Sequence, residues 1–153
     1  MHRAVATALL WVVASCDSRG AAIPATSAAA QPSGPAAQPV RGVIHNVNMQ
    51  MDNEGFRFEP NYITVDAGDG VRFQMVSGVP HNVAFDEHFI PRHAREQLVA
   101  NIAALGGRDL AAPVVTTVDS SFTISTAGLP AGEYLFYCAP HRSLNMHGVL
   151  TIR

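Results

Sequence analysis

Between residues 41 and 153 the apolar side chains come in runs too short for most helices, and almost every run ends in a cluster of Gly, Pro, Asn or Asp. Val43–Met49 alternates loosely between apolar and polar residues, and Tyr62–Val65 is rich in branched and aromatic ones. The turn Asp66-Ala67-Gly68-Asp69-Gly70 leads into Val71–Val76. Asn82–Phe85, Val114–Val118, Phe122–Ile124, Glu133–Tyr137 and Gly148–Ile152 follow, broken by turns such as Gly128-Leu129-Pro130-Ala131-Gly132. Short runs of this composition read as strands, and seven or eight of them predict an all-β sandwich. One stretch departs from the pattern. Ala94, Leu98, Ile102 and Leu105 recur at helical spacing after Pro91, and Gly106-Gly107 supplies a stop, which predicts a short helix over about residues 92–105 inserted between strands. A segment of this length can bury roughly two thirds of its chain surface in a single core.

Two stretches of different character precede it. Met1-His2-Arg3 opens onto the largely apolar Ala4–Ala14, which stops at Ser15-Cys16-Asp17. Such a run falls well short of the roughly 20 residues that cross a bilayer as helix, so residues 1–15 read as a secretory signal peptide. Val13-Ala14-Ser15-Cys16 resembles the bacterial lipobox, which implies that Cys16 is lipidated and becomes the mature N-terminus; the plainer reading is an ordinary signal cleaved nearby. From Asp17 to Val40 there are 24 residues, 17 of them Ala, Pro, Ser or Gly, and none aromatic. A segment so poor in burial surface cannot offset its ordering entropy, so residues 16–40 read as a lipidated Cys followed by a disordered tether, ahead of a domain at 41–153. The expected location is the periplasm or outer cell surface, anchored to the membrane by lipid. The 10 basic residues, all Arg, against 12 acidic ones leave a net charge of -2 with no basic run, which argues against nucleic acid as a partner.

The densest chemistry lies in Tyr137-Cys138-Ala139-Pro140-His141-Arg142-Ser143-Leu144-Asn145-Met146, where one loop presents a thiol, an imidazole and a thioether. A second imidazole, His81, follows Pro80 at the start of an expected strand. Two His, one Cys and one Met make up the ligand set of a mononuclear type 1 copper centre, a trigonal plane of two nitrogens and a sulfur with a long axial thioether. Zinc would usually recruit more cysteines or a fourth strong ligand. The chain has two cysteines only. If Cys16 carries lipid and Cys138 a metal, none is left for a disulfide, and the single Cys in the loop excludes a dinuclear copper site. His45, His88 and His93 have no partner at metal-like spacing and read as solvent-facing. His147, adjacent to Met146, reads as pointing away from the metal along the outgoing strand.

The order of Phe56-Arg57-Phe58-Glu59-Pro60, Ala67-Gly68-Asp69, Pro80-His81-Asn82-Val83, Phe85-Asp86-Glu87, Tyr137-Cys138-Ala139-Pro140-His141 and Met146-His147-Gly148 resembles that of a plastocyanin-type cupredoxin through most of residues 56–153. The resemblance implies a Greek-key sandwich in which His81, Cys138, His141 and Met146 bind one copper cycling between Cu(I) and Cu(II). It implies that Asn82 holds the ligand loop in register. Pro140 lacks an N–H and cannot donate to the Cys138 sulfur. It also implies that electrons leave by the edge of His141, within an apolar patch lined by Val79, Pro80 and Leu144, with a second route past Tyr137 near an acidic patch. Asp86 and Glu87 match the first half of that patch, whereas Arg92, Arg95 and Arg108 replace its continuation. The reading is thus a monomeric one-electron carrier, not an enzyme, which meets redox proteins through a transient interface. The rival reading is a periplasmic copper buffer or chaperone on the same fold. A third is a binding domain with a vestigial metal site.

Overall fold

The computed structural model describes residues 34–78 and 80–153. The expected signal peptide, Cys16, the tether as far as residue 33, and Val79 lie outside the described residues.

Eight strands form two four-stranded sheets. β1 (Ile44–Asp52), β2 (Gly55–Glu59), β4 (Gly70–Met75) and β6 (Ser121–Ser125) make one, in the order β2-β1-β4-β6. β3 (Tyr62–Val65), β5 (Ala84–Phe85), β7 (Gly132–Tyr137) and β8 (His147–Ile152) make the other, in the order β3-β8-β7-β5. The pairs β1/β4 and β3/β8 are parallel, the rest antiparallel, because the chain crosses between sheets instead of folding back at every turn. This is the Greek-key sandwich that the resemblance implied.

Alternation decides which side of each strand is wet. Gly148, Leu150 and Ile152 of β8 are buried while His147, Val149 and Thr151 are half-exposed, and Tyr134 and Phe136 of β7 point inward in the same manner. Phe136 joins the layers: its ring centroid lies 4.9 Å from that of Phe58 and 5.4 Å from that of Phe73, both of the opposite sheet. Gly148 leaves room for that ring, since a Cβ there would collide with Phe136 and with the Asn61 carbonyl. The Tyr134 hydroxyl donates to the Pro130 carbonyl at 2.7 Å, pinning the turn into β7 in the manner of a tyrosine corner.

The helix, α1, runs Arg95–Ala103, shorter at both ends than the periodicity suggested. Leu98 and Ile102 are buried as expected, but so is Asn101. Its amide is fully used: Nδ2 donates to the carbonyls of Ser125 and Ala127, and Oδ1 accepts from Gln97 Nε2 and the Gln38 backbone N–H. Gln97 Nε2 also donates to the Ala36 carbonyl. Residues 36–40, assigned to the tether, are therefore held against the domain, and packing begins before residue 41.

Two strand expectations are corrected. Val114–Val118 is not a strand; only Val115 pairs, through a two-bond bridge to His81. Asn82–Phe85 contributes strand only at Ala84–Phe85. Conversely, composition does not predict β2, because Gly55, Arg57 and Glu59 interrupt its apolar positions.

Candidate metal centre

Three elements deliver the donors to one end of the sandwich. His81 sits ahead of β5, and both its backbone groups bond Val115, so the stretch that failed to become a strand still fixes this residue. Its Nε2 lies 3.1 Å from the Ser77 carbonyl. A carbonyl only accepts, so Nε2 carries the proton and Nδ1 keeps a free lone pair. Ser77 is itself tied to the end of β1, its hydroxyl accepting from the Met51 N–H and donating to the Met51 carbonyl.

Cys138 directly follows β7, and the 3-10 turn Ala139–Leu144 carries His141 back toward it. The loop closes on itself: the His141 N–H donates to the Cys138 carbonyl, the Cys138 N–H to the Met146 carbonyl, and the Met146 N–H to the His141 carbonyl. Asn145, with φ at 65°, takes the left-handed conformation that turns the chain into β8. Across the gap, Asn82 Oδ1 accepts from the Ala139 N–H at 2.9 Å, joining the His81 segment to the Cys138 loop.

The Cys138 Sγ lies 3.6 Å from His81 Nδ1 and 3.3 Å from His141 Nδ1, and the three donor atoms all fall within 4.8 Å of one another. His81 and Cys138 are fully buried, and His141 is 6% exposed. Met146 is also fully buried on the same loop. Burial sets the protonation states. It pushes the Cys138 thiol up, partly opposed by the backbone N–H groups of Asn82 and His141, and it holds both imidazoles below their ordinary range. Neutral imidazoles with converging lone pairs and a thiol that ionises on binding are what a metal requires.

Phe56 of β2 completes the pocket. Its ring stacks on that of His141 at a centroid separation of 4.0 Å and an interplanar angle of 11°. The contact fixes the plane of the imidazole that borders solvent. In the sequence Phe56 stands within the Phe56–Pro60 motif and alternates onto the same face as the core residue Phe58, but neither signal marks it as a partner of His141.

A model of copper-binding proteins of the plastocyanin/azurin family matches residues 45–153. The chain belongs to the plastocyanin/azurin family. Plastocyanin of Dryopteris crassirhizoma is 36% identical over 100 residues, covering 64% of this chain and 89% of that protein. Plastocyanin of Prochlorothrix hollandica is 31% identical over 116 residues, covering 76% and 78%. The solved structure of the oxidised form of the Dryopteris protein superposes with a TM-score of 0.54 at 32% identity, covering 71% of this chain and all of that one.

The family binds one copper, and the residues here fit it. A thiol, two imidazoles and a thioether combine soft, borderline and weak donors; the two ring nitrogens and the sulfur converge, and Met146 is buried on the same loop. The family and this donor set point to a type 1 copper electron carrier. Around the site, Pro80 and Leu144 are exposed, Leu144 by 54%, whereas Tyr137 is half-buried. His147 is half-buried between the buried Met146 and Gly148 and is not one of the converging donors. His45 is not simply solvent-facing: its Nε2 lies 2.8 Å from Asp69 Oδ2.

Proposed function

We propose that the protein is an exported one-electron carrier, lipidated at Cys16, that shuttles electrons between membrane-associated redox partners on the periplasmic or outer face of the membrane. The observation that carries this reading is the convergence of His81, Cys138 and His141 within 4.8 Å in a buried pocket. Copper bound there, held by His81, Cys138, His141 and Met146, would supply a one-electron couple whose potential depends on thiolate covalency and on the thioether.

The protein's part is to keep the donors still. His81 is held by Val115 and Ser77, Cys138 and Met146 by each other's backbone, and the whole loop by Asn82. A cage bonded in this way changes little between oxidation states, which favours rapid exchange. All four residues are buried and every donor is used on the metal in this reading, so the site serves transfer and not catalysis. His141 is the most exposed of the four, and Pro80 and Leu144 are exposed; by the family resemblance they line an apolar surface at its edge, suited to brief encounters. The tether and anchor in this reading rest on the composition of residues 16–35 and on the lipobox resemblance.

Purified copper-loaded protein tests the reading. A reversible one-electron voltammetric wave and slow metal loss to a chelator are expected. A colourless complex that exchanges copper rapidly would instead identify the copper-handling alternative.

A further inference from the structure

Beside Tyr137 lies an open cleft of about 690 Å³, walled by Asp86, Glu87, His88, Arg108 and Asp109. Arg142, the residue after the outermost His, reaches into it. Its guanidinium carbon stands 4.2 Å from the centroid of the Tyr137 ring, and its Nη2 lies 3.0 Å from Asp86 Oδ2. The other Asp86 oxygen accepts from the His88 N–H, and the Asp86 side chain is only 10% exposed. The remaining carboxylates are answered too, since Arg95 lies 3.8 Å from Glu87 and 2.6 Å from Asp109. Arg108, exposed at the rim, has no carboxylate partner among the described residues. Three carboxylates thus face three guanidiniums, and the ring of Tyr137 is capped by one of them.

Asp86 and Glu87 would form an electronegative landing site next to Tyr137 if they stood alone. We propose that Arg142 closes this face to cationic partners, so that docking for electron exchange is confined to the His141 face and favours partners with an apolar, weakly charged contact surface. The proposal rests on the carrier reading above and specifies the kind of partner. Arg142 acts by neutralising Asp86 and covering Tyr137. The stacked, ion-paired arrangement uses the planar fork that distinguishes Arg from Lys, while the charge itself is common to both.

The test uses the copper-loaded, reduced protein and hexaamminechromium(III), a redox-inert paramagnetic trication, at low ionic strength, where surface charges are least screened. Amide NMR broadening reports where the cation dwells. In the wild type, the amides of Asp86, Glu87, His88 and Tyr137 are expected to broaden no more than the average exposed amide. Arg142→Gln should make that set broaden selectively, Arg142→Glu should do so several-fold more strongly, and Arg142→Lys should behave as the wild type. Selective broadening there in the wild type, or none in Arg142→Gln, overturns the proposal. If Arg142→Glu disturbs the ligand loop, visible as shifted Cys138 and Ala139 amides, the comparison of wild type with Arg142→Gln still decides. The map is independent of the spectroscopic identity of the metal site, so a failed carrier reading and a failed Arg142 proposal give different results.

Discussion

At the scale of single residues, the centre depends on side chains that orient the donors as much as on the donors. The Ser77 carbonyl fixes the His81 tautomer, Asn82 joins two segments 57 residues apart, and Phe56 holds the His141 plane. An aromatic stack of this kind adds about 0.5–1.5 kcal/mol beyond the area it buries. The sulfur is approached by the backbone N–H groups of Asn82 and His141, and Pro140 contributes none. Each such donor withdraws charge from a thiolate and stabilises the reduced state. Pro140→Ala gives residue 140 an N–H able to donate to the sulfur and is expected to raise the reduction potential; voltammetry showing no change or a fall would contradict this. The convergence of His81, Cys138 and His141 was legible in the sequence because these residue types together are a metal ligand set, and the Asn82 link to the ligand loop was legible only through the family resemblance. Ser77 and Arg142 were not, because their roles depend on a backbone carbonyl and on a cross-loop ion pair that no local pattern encodes.

At the scale of elements, alternation and turn chemistry predicted most strands, and they failed where tertiary context overrode them. Val114–Val118 has strand composition yet pairs only at Val115, because its neighbour there is the single residue His81 and not another strand. The 2-residue β5 shows the same limit from the other side. Helix α1 was visible from Leu98 and Ile102, but Asn101, polar and on the buried face, is what fastens it. Its side chain bonds the carbonyls of Ser125, the last residue of β6, and Ala127, and the Gln38 backbone N–H. Asn101→Ala strands two buried carbonyls. A loss of about 1–3 kcal/mol is expected in denaturant unfolding. An unchanged midpoint and slope would show that the helix is held by its apolar contacts alone.

At the scale of the whole molecule, the sandwich is tied at the end far along β1 from the Ser77 contact by a second polar cluster. The buried Asp69 takes His45 Nε2 at 2.8 Å and accepts the N–H groups of Val43 and Asp66. His45 first, and then these backbone donors, hold its carboxyl below the ordinary carboxylate range. A carboxylate with a depressed folded value stabilises the fold above its unfolded value of about 3.9, and the contribution disappears as pH falls through the folded value. Asp69→Asn is therefore expected to melt below the wild type near neutral pH, with the gap narrowing below about pH 4. Protonation of the metal-site imidazoles is common to both proteins and cancels in the difference. A gap that stays constant with pH would remove the charge from this account. The sequence showed the Asp66–Gly70 turn but not its pairing with His45, since the parallel alignment of β1 and β4 that brings them together spans the intervening β2 and β3.

The electron-carrier account as a whole rests on a thiolate sharing its electron density with one copper ion. Paramagnetic resonance of the oxidised copper-loaded protein measures that sharing most directly. A narrow parallel hyperfine splitting is expected, accompanied by an intense blue absorption that Cys138→Ser abolishes. A wide splitting typical of nitrogen and oxygen ligands, or a spectrum that survives Cys138→Ser, would contradict it.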